Sequence, residues 1–266
     1  MVKFVKGHGT RNDFVVVPDL DDVLDLSDGD VQALCDRRAG IGADGVLRVV
    51  RAAGDAPWFM DYRNADGSVA EMCGNGIRVF GRYLVDAGLA EPGRVLVDTR
   101  DGVKKLDVPR SGDVTVGMGA PQRLPDAKVS LDAGWWPAQG WSMGNPHLVV
   151  IDGPRVDTVD LTDAPAVDPE DAYPTGVNVE VVEVVGPQHV RMRVHERGVG
   201  ETQSCGTGAC AAAVAVMALR DERATYDVDV PGGRLRVKWC DGGQVLLTGP
   251  AVLVAEGEWR SGAEGR

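Results

Sequence analysis

The chain has 266 residues, 44% of them hydrophobic, and a formal net charge of −12. That is enough chain for two modest domains, and the acidic balance argues against a broad nucleic-acid surface. No run of about 18 apolar residues is present to cross a membrane as a helix, and the first residues, Met1-Val2-Lys3-Phe4-Val5-Lys6-Gly7-His8, lack the apolar core of a signal peptide.

In chain order, residues 7–13 read as a turn-rich loop, and 14–17 as a buried strand ending at Pro18-Asp19. A weak helical pattern covers 31–38. The loop Gly40-Ile41-Gly42-Ala43-Asp44-Gly45 feeds a strand at 46–50, and another at 58–62 runs into a turn at 63–68. Cys73-Gly74-Asn75-Gly76 then opens an apolar-rich stretch that closes at Asp86-Ala87-Gly88. Short strands are expected at 95–99, 103–108 and 114–118, with a boundary near Gly119-Ala120-Pro121. Trp135, Trp136 and Trp141 read as a local aromatic packing group. Polar residues at 142–147 precede a strand at 148–151, and the acidic, proline-containing stretch 152–174 reads as surface loop with a short helix. Strands are expected at 179–185 and 190–194. Residues 205–219 form a glycine-rich turn that opens into a helix without charge from 209 to 219, and a helix apolar on every face belongs inside a domain. Strands at 226–230, 235–239, 245–248 and 252–255 follow, then a frayed end at 260–266. The expected class is mixed α/β (α+β), each sheet wrapped on its own helix.

The chemistry concentrates at the two Cys-Gly-x-Gly turns. A lone Cys before a buried helix is more often packing than chemistry. Here the pattern occurs twice, at Cys73 and Cys205, 132 positions or half the chain apart. The repeat predicts two similar domains, 1–118 and 119–251, each presenting a helix start with one thiol. The five cysteines (35, 73, 205, 210, 240) are odd in number and widely spaced, which predicts no disulfide framework and a reducing cytoplasm. No Cys-x-x-Cys pair or His cluster suggests a metal, the histidines being at 8, 147, 189 and 195.

A helix start is expected to lower a thiol pKa from about 8.5 towards neutrality. Its backbone N–H groups, here of Gly74, Asn75, Gly206 and Thr207, suit a small anion. Two thiols on opposite sides of one carbon could invert it, a thiolate removing the proton and a thiol replacing it. Repulsion would leave one net charge on the pair. No lysine stands in a pyridoxal-phosphate setting, so no cofactor is expected. Arg197 could grip a carboxylate and Glu196 an ammonium group. Asn12, Asn64, Asn145 and Asn178 each fall in a turn, where Asn is common for structural reasons alone. His147 lies just past one of these turns and could tune a thiol.

Six segments in one order carry a resemblance: Gly-His-Gly-Thr-Arg-Asn-Asp-Phe (7–14), Gly-Ile-Gly-Ala-Asp-Gly (40–45), Asn-Ala-Asp-Gly-Ser (64–68), Met-Cys-Gly-Asn-Gly-Ile-Arg (72–78), Met-Gly-Asn-Pro-His (143–147) and Glu-Arg-Gly-Val-Gly-Glu-Thr-Gln-Ser-Cys-Gly-Thr-Gly-Ala-Cys (196–210). On these the chain resembles the diaminopimelate epimerase family along nearly its full length. The resemblance implies a cofactor-independent isomerase that interconverts LL- and meso-diaminopimelate in bacterial lysine and cell-wall precursor synthesis. It implies two pseudo-symmetric domains, each a curled sheet around a central helix, with the tail from about 252 able to return to the first domain. Cys73 and Cys205 would be the acid/base pair. Gly74, Asn75, Gly206 and Thr207 would hold the reacting carboxylate. Asn12, Asn64, Asn145, Asn178, Glu196 and Arg197 would grip the distal end, and His147 and Glu196 would influence the thiols. A homodimer is implied, with no nucleic-acid or membrane partner. Two departures stand out: Thr10-Arg11 where many relatives have Leu-Gly, and Gly45 where some carry a polar side chain. Competing readings are a two-thiol proline or hydroxyproline racemase, whose first turn typically has His in place of Asn75, a thiol hydrolase using Cys205 with His147 or His195, and a redox-switch binding protein.

Overall fold

Valine-rich blocks interrupted every few residues by Gly, Asp or Pro favour short strands over helices. The structure, a computed structural model, describes residues 1–132 and 134–260. Among the described residues it has eighteen strands and three α-helices, a mixed α/β architecture that is mostly strand.

One unit comprises Met1–Val116 and the described residues from Gly249 onward. Its elements are β1 (Val2–Gly9), β2 (Asn12–Pro18), α1 (Asp28–Cys35), β3 (Gly45–Arg51), β4 (Trp58–Asn64), α2 (Gly74–Asp86), β5 (Gly93–Asp98), β6 (Lys104–Val108) and β7 (Val114–Gly119). The other unit, Gly117–Thr248, holds β8 (Gln122–Leu131), β9 (Gly134–Ser142), β10 (Pro146–Ile151), β11 (Val167–Asp168), β12 (Asn178–Gly186), β13 (His189–Glu196), β14 (Gly200–Thr202), α3 (Gly206–Leu219), β15 (Thr225–Val230), β16 (Gly233–Trp239) and β17 (Val245–Gly249). The last strand, β18 (Val252–Trp259), pairs antiparallel with β1.

The order of strand senses repeats. Along β18-β1-β2-β3-β4-β5-β6-β7, neighbours run antiparallel, antiparallel, parallel, antiparallel, parallel, antiparallel, antiparallel. Along β8-β9-β10-β12-β13-β15-β16-β17 the same senses recur in the same order. Parallel neighbours need a crossover, and in each unit the second crossover is the long helix: β4–α2–β5 and, by way of β14, β13–α3–β15.

Both helices are buried against their own sheet. α3 packs on β10, β12, β13, β15 and β16, and its Ala and Val side chains are buried through Met217. α2 packs on β1, β2, β6 and β18 despite carrying Arg78 and Arg82. Both guanidinium groups are satisfied on backbone carbonyls, Arg78 on Gly74 at 2.9 Å and Arg82 on Pro109 at 2.7 Å and Gly112 at 2.9 Å. A buried cation is tolerated only with such partners.

Several readings from sequence need correction. Residues 7–13 are not a loop: β1 extends to Gly9, Thr10-Arg11 make a two-residue turn, and β2 begins at Asn12. The stretch 152–174 is not merely surface. Val156, Val159 and Leu161 are buried in a second core on the outer face of β10 and β12, and only a 3-10 turn at Glu170–Ala172 is helical. The three tryptophans do not form one group. Trp135 is exposed, Trp136 packs on the outer core, and Trp141 meets Trp239 edge-on at 6.2 Å. Of the frayed end expected at 260–266, residues 261–266 lie outside the described residues.

Candidate active site

Each long helix begins on a cysteine. Cys73 and Cys205 have extended backbones (φ −134°, ψ 121° and φ −116°, ψ 118°) and act as N-caps. Their sulfurs accept from Gly76 N and Gly208 N, both at 3.4 Å. Ser, Thr, Asp or Asn usually fill this position, so a thiol there gives up capping strength. Among the described residues neither cysteine is in a disulfide.

Around Cys73 the first unit gathers Gly74, Asn75 and Asn12. Asn75, almost fully buried, donates through Nδ2 to Asn12 Oδ1 at 3.2 Å, and Cys73 Sγ lies 3.7 Å from the same oxygen. Asn12 Nδ2 donates to Asp44 Oδ2 at 2.7 Å. Asn64 reaches this neighbourhood through the turn after β4, where Ala65 N donates to Asp44 O at 3.1 Å. Its own amide accepts from Tyr62 Oη at 2.8 Å and donates to Ser68 Oγ at 3.0 Å. Gly45 has no room for a side chain, because a Cβ would lie 2.5 Å from Arg63 O and 2.8 Å from Tyr62 Cε2. Tyr62 therefore occupies the space that a side chain at 45 would need.

Around Cys205 the second unit gathers Gly206, Thr207, Glu196, His147 and Asn145. Thr207 Oγ1 is 3.4 Å from Cys205 Sγ, and Glu196 is hydrogen-bonded to Thr202 and to the thiol. His147 Nδ1 is 2.6 Å from Glu180 Oε1 and its Nε2 is 2.9 Å from Asn145 Oδ1. Parallel register places His147 beside Asn178. The Asn178 amide ties backbone together: Nδ2 donates to Pro146 O and Oδ1 accepts from Arg197 N, both at 2.9 Å. The Arg197 side chain lies over Gly176, donates to Thr175 O at 3.2 Å, and lines a cavity of about 1020 Å³ shared with His195, Tyr173 and Trp135.

Glu180 was not singled out from sequence, yet it is fully buried on β12, and its Oε2 has no hydrogen-bond partner among the described residues. In sequence it is the one charged letter in the buried first half of a valine strand, Asn-Val-Glu-Val-Val. A charged residue on a buried strand was the available signal. Asp44, which anchors Asn12, and Arg78, which anchors Asn75 at 2.9 Å, were also passed over.

The expected acidification of the thiol does not hold for Cys205. Burial pushes this thiol well above its ordinary value, and the carboxylates of Glu196 and Glu180 push the same way. Thr207 and the Gly208 N–H oppose them and lose. A helix terminus supplies about 0.3–1 kcal/mol, which is small against a thiolate buried beside two carboxylates. Burial likewise raises Glu196, with Glu180 adding to it, against hydrogen bonds from Thr202 and Cys205.

The family described as diaminopimelate epimerase matches residues 4–124 and 141–254. The chain is 54% identical to the diaminopimelate epimerase of Streptomyces coelicolor, over 98% of this chain and 96% of that one. It is 52% identical to that of Acidothermus cellulolyticus, over 96% and 95%. Among solved structures it is similar to a phenazine biosynthesis protein of the PhzF family from Bacillus anthracis. The TM-score is 0.75 at 19% identity, covering 97% of this chain and 99% of that one, a likeness of fold alone. Among the described residues, no helix is long and apolar enough to cross a membrane. Match, identity and coverage together make this chain an isomerase that belongs to the diaminopimelate epimerase family.

Proposed function

We propose that this chain interconverts LL- and meso-2,6-diaminopimelate without a cofactor, by moving an α-proton between the thiols of Cys73 and Cys205. The observation that carries the reading is the pair of cysteine N-caps at equivalent places in two units of repeated strand order. We take those units to be two domains, each supplying one thiol. Inverting a carbon needs a base on one face and an acid on the other, because a single base tends to return the proton to the face it left. As the α-proton leaves, negative charge builds on the adjoining carboxylate. The N–H groups of Gly74, Asn75, Gly206 and Thr207 at the helix starts can hold that charge without reorganising.

The distal amino-acid end of the substrate falls to Asn12, Asn64, Asn145, Asn178, Glu196 and Arg197. His147 and Glu196 bias the protonation of Cys205, with Glu180 behind them. The reading also takes the protein as a cytoplasmic homodimer with no nucleic-acid or membrane partner, which its mass in solution would check for the dimer.

The test is turnover of LL-diaminopimelate in heavy water, with L-proline as control. Deuterium is expected at the inverted α-carbon of the meso product, with no metal or pyridoxal phosphate added. Cys73→Ala and Cys205→Ala are each expected to lower kcat by about 10³-fold or more, the scale of a lost acid or base. Near-normal turnover in either variant would refute the two-thiol scheme.

A further inference from the structure

Thr10 holds a backbone conformation that β-branched residues avoid. Thr10 and Arg11 alone join β1 to β2, with Gly9 paired to Asn12, and their φ angles are 49° and 62°. Two-residue hairpin turns of this hand favour Asn-Gly, and a Thr at positive φ is an outlier. Such residues persist where their surroundings over-determine them, and they gather at functional sites.

Those surroundings are specific. Thr10 is 1% exposed. Its Oγ1 lies 3.3 Å from Asn75 Oδ1 and accepts from Arg78 Nη2 at 3.4 Å. The same Nη2 donates to Asn75 Oδ1 at 2.9 Å, and Nη1 is held on Gly74 O. A guanidinium has only donors, so Asn75 must turn its carbonyl towards Arg78 and its NH2 towards Asn12, to whose Oδ1 it donates at 3.2 Å. At the far end Asn12 donates at 2.7 Å to the carboxylate of Asp44, which only accepts. With an obligate donor at one end and an obligate acceptor at the other, both amides have a single orientation.

We infer that Thr10 is a positioning residue for the reaction: with Arg78 it holds the Asn75 side chain so that N–H, and not the carbonyl oxygen, is offered beside Cys73. An NH2 held this way can donate its second N–H to a carboxylate and offers no acceptor to an ammonium group. The inference rests on the proposed site at Cys73, and on the Asn75 side chain as well as its backbone N–H facing the substrate there.

Three variants and one double variant test it, each followed by steady-state kinetics with LL-diaminopimelate and by thermal unfolding. Thr10→Gly suits positive φ, so its unfolding midpoint is expected to be unchanged or higher. Its KM should nonetheless rise about three- to tenfold, the scale of one hydrogen bond, with kcat within about twofold of the parent. A purely structural residue would move stability and KM together. Thr10→Val keeps the branch and loses only the hydroxyl, and its KM should rise equally. In an Asn75→Ala background Thr10→Val should add nothing, because there is no amide left to hold. An unchanged KM in both Thr10 variants, or a Thr10→Val effect that survives in full on Asn75→Ala, overturns the assignment. Parent-like kinetics in Asn75→Ala itself, which keeps the backbone N–H, would instead remove the Asn75 side chain from the site and with it the premise of the assignment, while leaving the two-thiol reading in place.

Discussion

Cys205 takes a hydrogen bond from Gly208 N and lies against the hydroxyl of Thr207, and either contact would favour a thiolate. It is also buried, with Glu196 and Glu180 close enough to oppose ionisation, and these win. A thiol whose folded pKa is raised keeps its proton as pH climbs past the ordinary thiol value. The stability linked to it is whole below the unfolded thiol value, about 8.5, and is lost progressively as pH rises from there through the folded value. Since the thiolate is the reactive form, alkylation of Cys205 by iodoacetamide in the substrate-free protein should be slow at pH 8 and still rising above about pH 9. Glu196→Gln removes the larger of the two carboxylate effects and should move that rate curve to lower pH. Glu180→Gln should move it less. Mass spectrometry of the Cys205 peptide across a pH series reads both, and a Glu196→Gln curve coincident with the parent would exclude the electrostatic account.

At the scale of the element, the two helix starts look alike in sequence and differ in what they tolerate. A Cβ at Gly76 would meet Leu47 Cδ2 at 3.2 Å and Phe14 Cε1 at 3.4 Å, both ends of side chains able to give way. A Cβ at Gly208 would lie 2.6 Å from Glu180 Oε1, which His147 holds in place. Alanine in a helix gains about 0.5–1 kcal/mol over glycine, enough to offset the first contact and not the second. Gly76→Ala should therefore fold with stability within about 1 kcal/mol of the parent and keep most activity. Gly208→Ala should lose about 10²-fold in kcat, the scale of an ångström's displacement of a reacting group. Equal losses in the two variants would sink the distinction. The helix starts themselves were legible as a repeated Cys-Gly-x-Gly turn, followed in the second case by an uncharged run and in the first by an apolar-rich one that Arg78 and Arg82 interrupt. The valine strands were legible for the same reason of pattern. β8 was not, since Pro125 and a bulge between Leu124 and Ala127 break its alternation. Nor was the outer core, where Val156, Val159 and Leu161 are scattered through an acidic stretch. The candidate site was legible as far as residues fall in glycine turns. Glu180 and Arg78 were missed because their work depends on which side chains the strands and helices bring together, and no local pattern encodes that.

For the whole molecule, the acid limit of stability should be set by buried carboxylates that arginines keep ionised. Asp61 is almost fully buried on β4. It accepts from Arg48 Nε at 2.9 Å and from Arg100, with Arg63 at 3.7 Å. Asp19 accepts from Arg48 at 2.7 Å and from the N–H groups of Val23 and Leu24 at 2.9 and 3.0 Å. Burial works to raise both carboxyls, but the arginines and N–H groups outweigh it and hold both below the ordinary Asp value. A depressed folded pKa contributes stability that is present above the unfolded value, about 3.9, and is lost as pH falls through the folded one. Unfolding free energy from urea titrations should therefore hold between about pH 5 and 7 as far as these groups decide it, and fall steeply below about pH 4. Asp61→Asn leaves Arg48 and Arg100 facing a neutral amide in a buried setting, where losing one partner costs about 3–5 kcal/mol. The variant should be weaker at pH 7 by about that amount and should lose less on acidification, because one of the groups that must take up a proton is gone. An acid limb in Asp61→Asn parallel to that of the parent would show that other carboxylates set the limit.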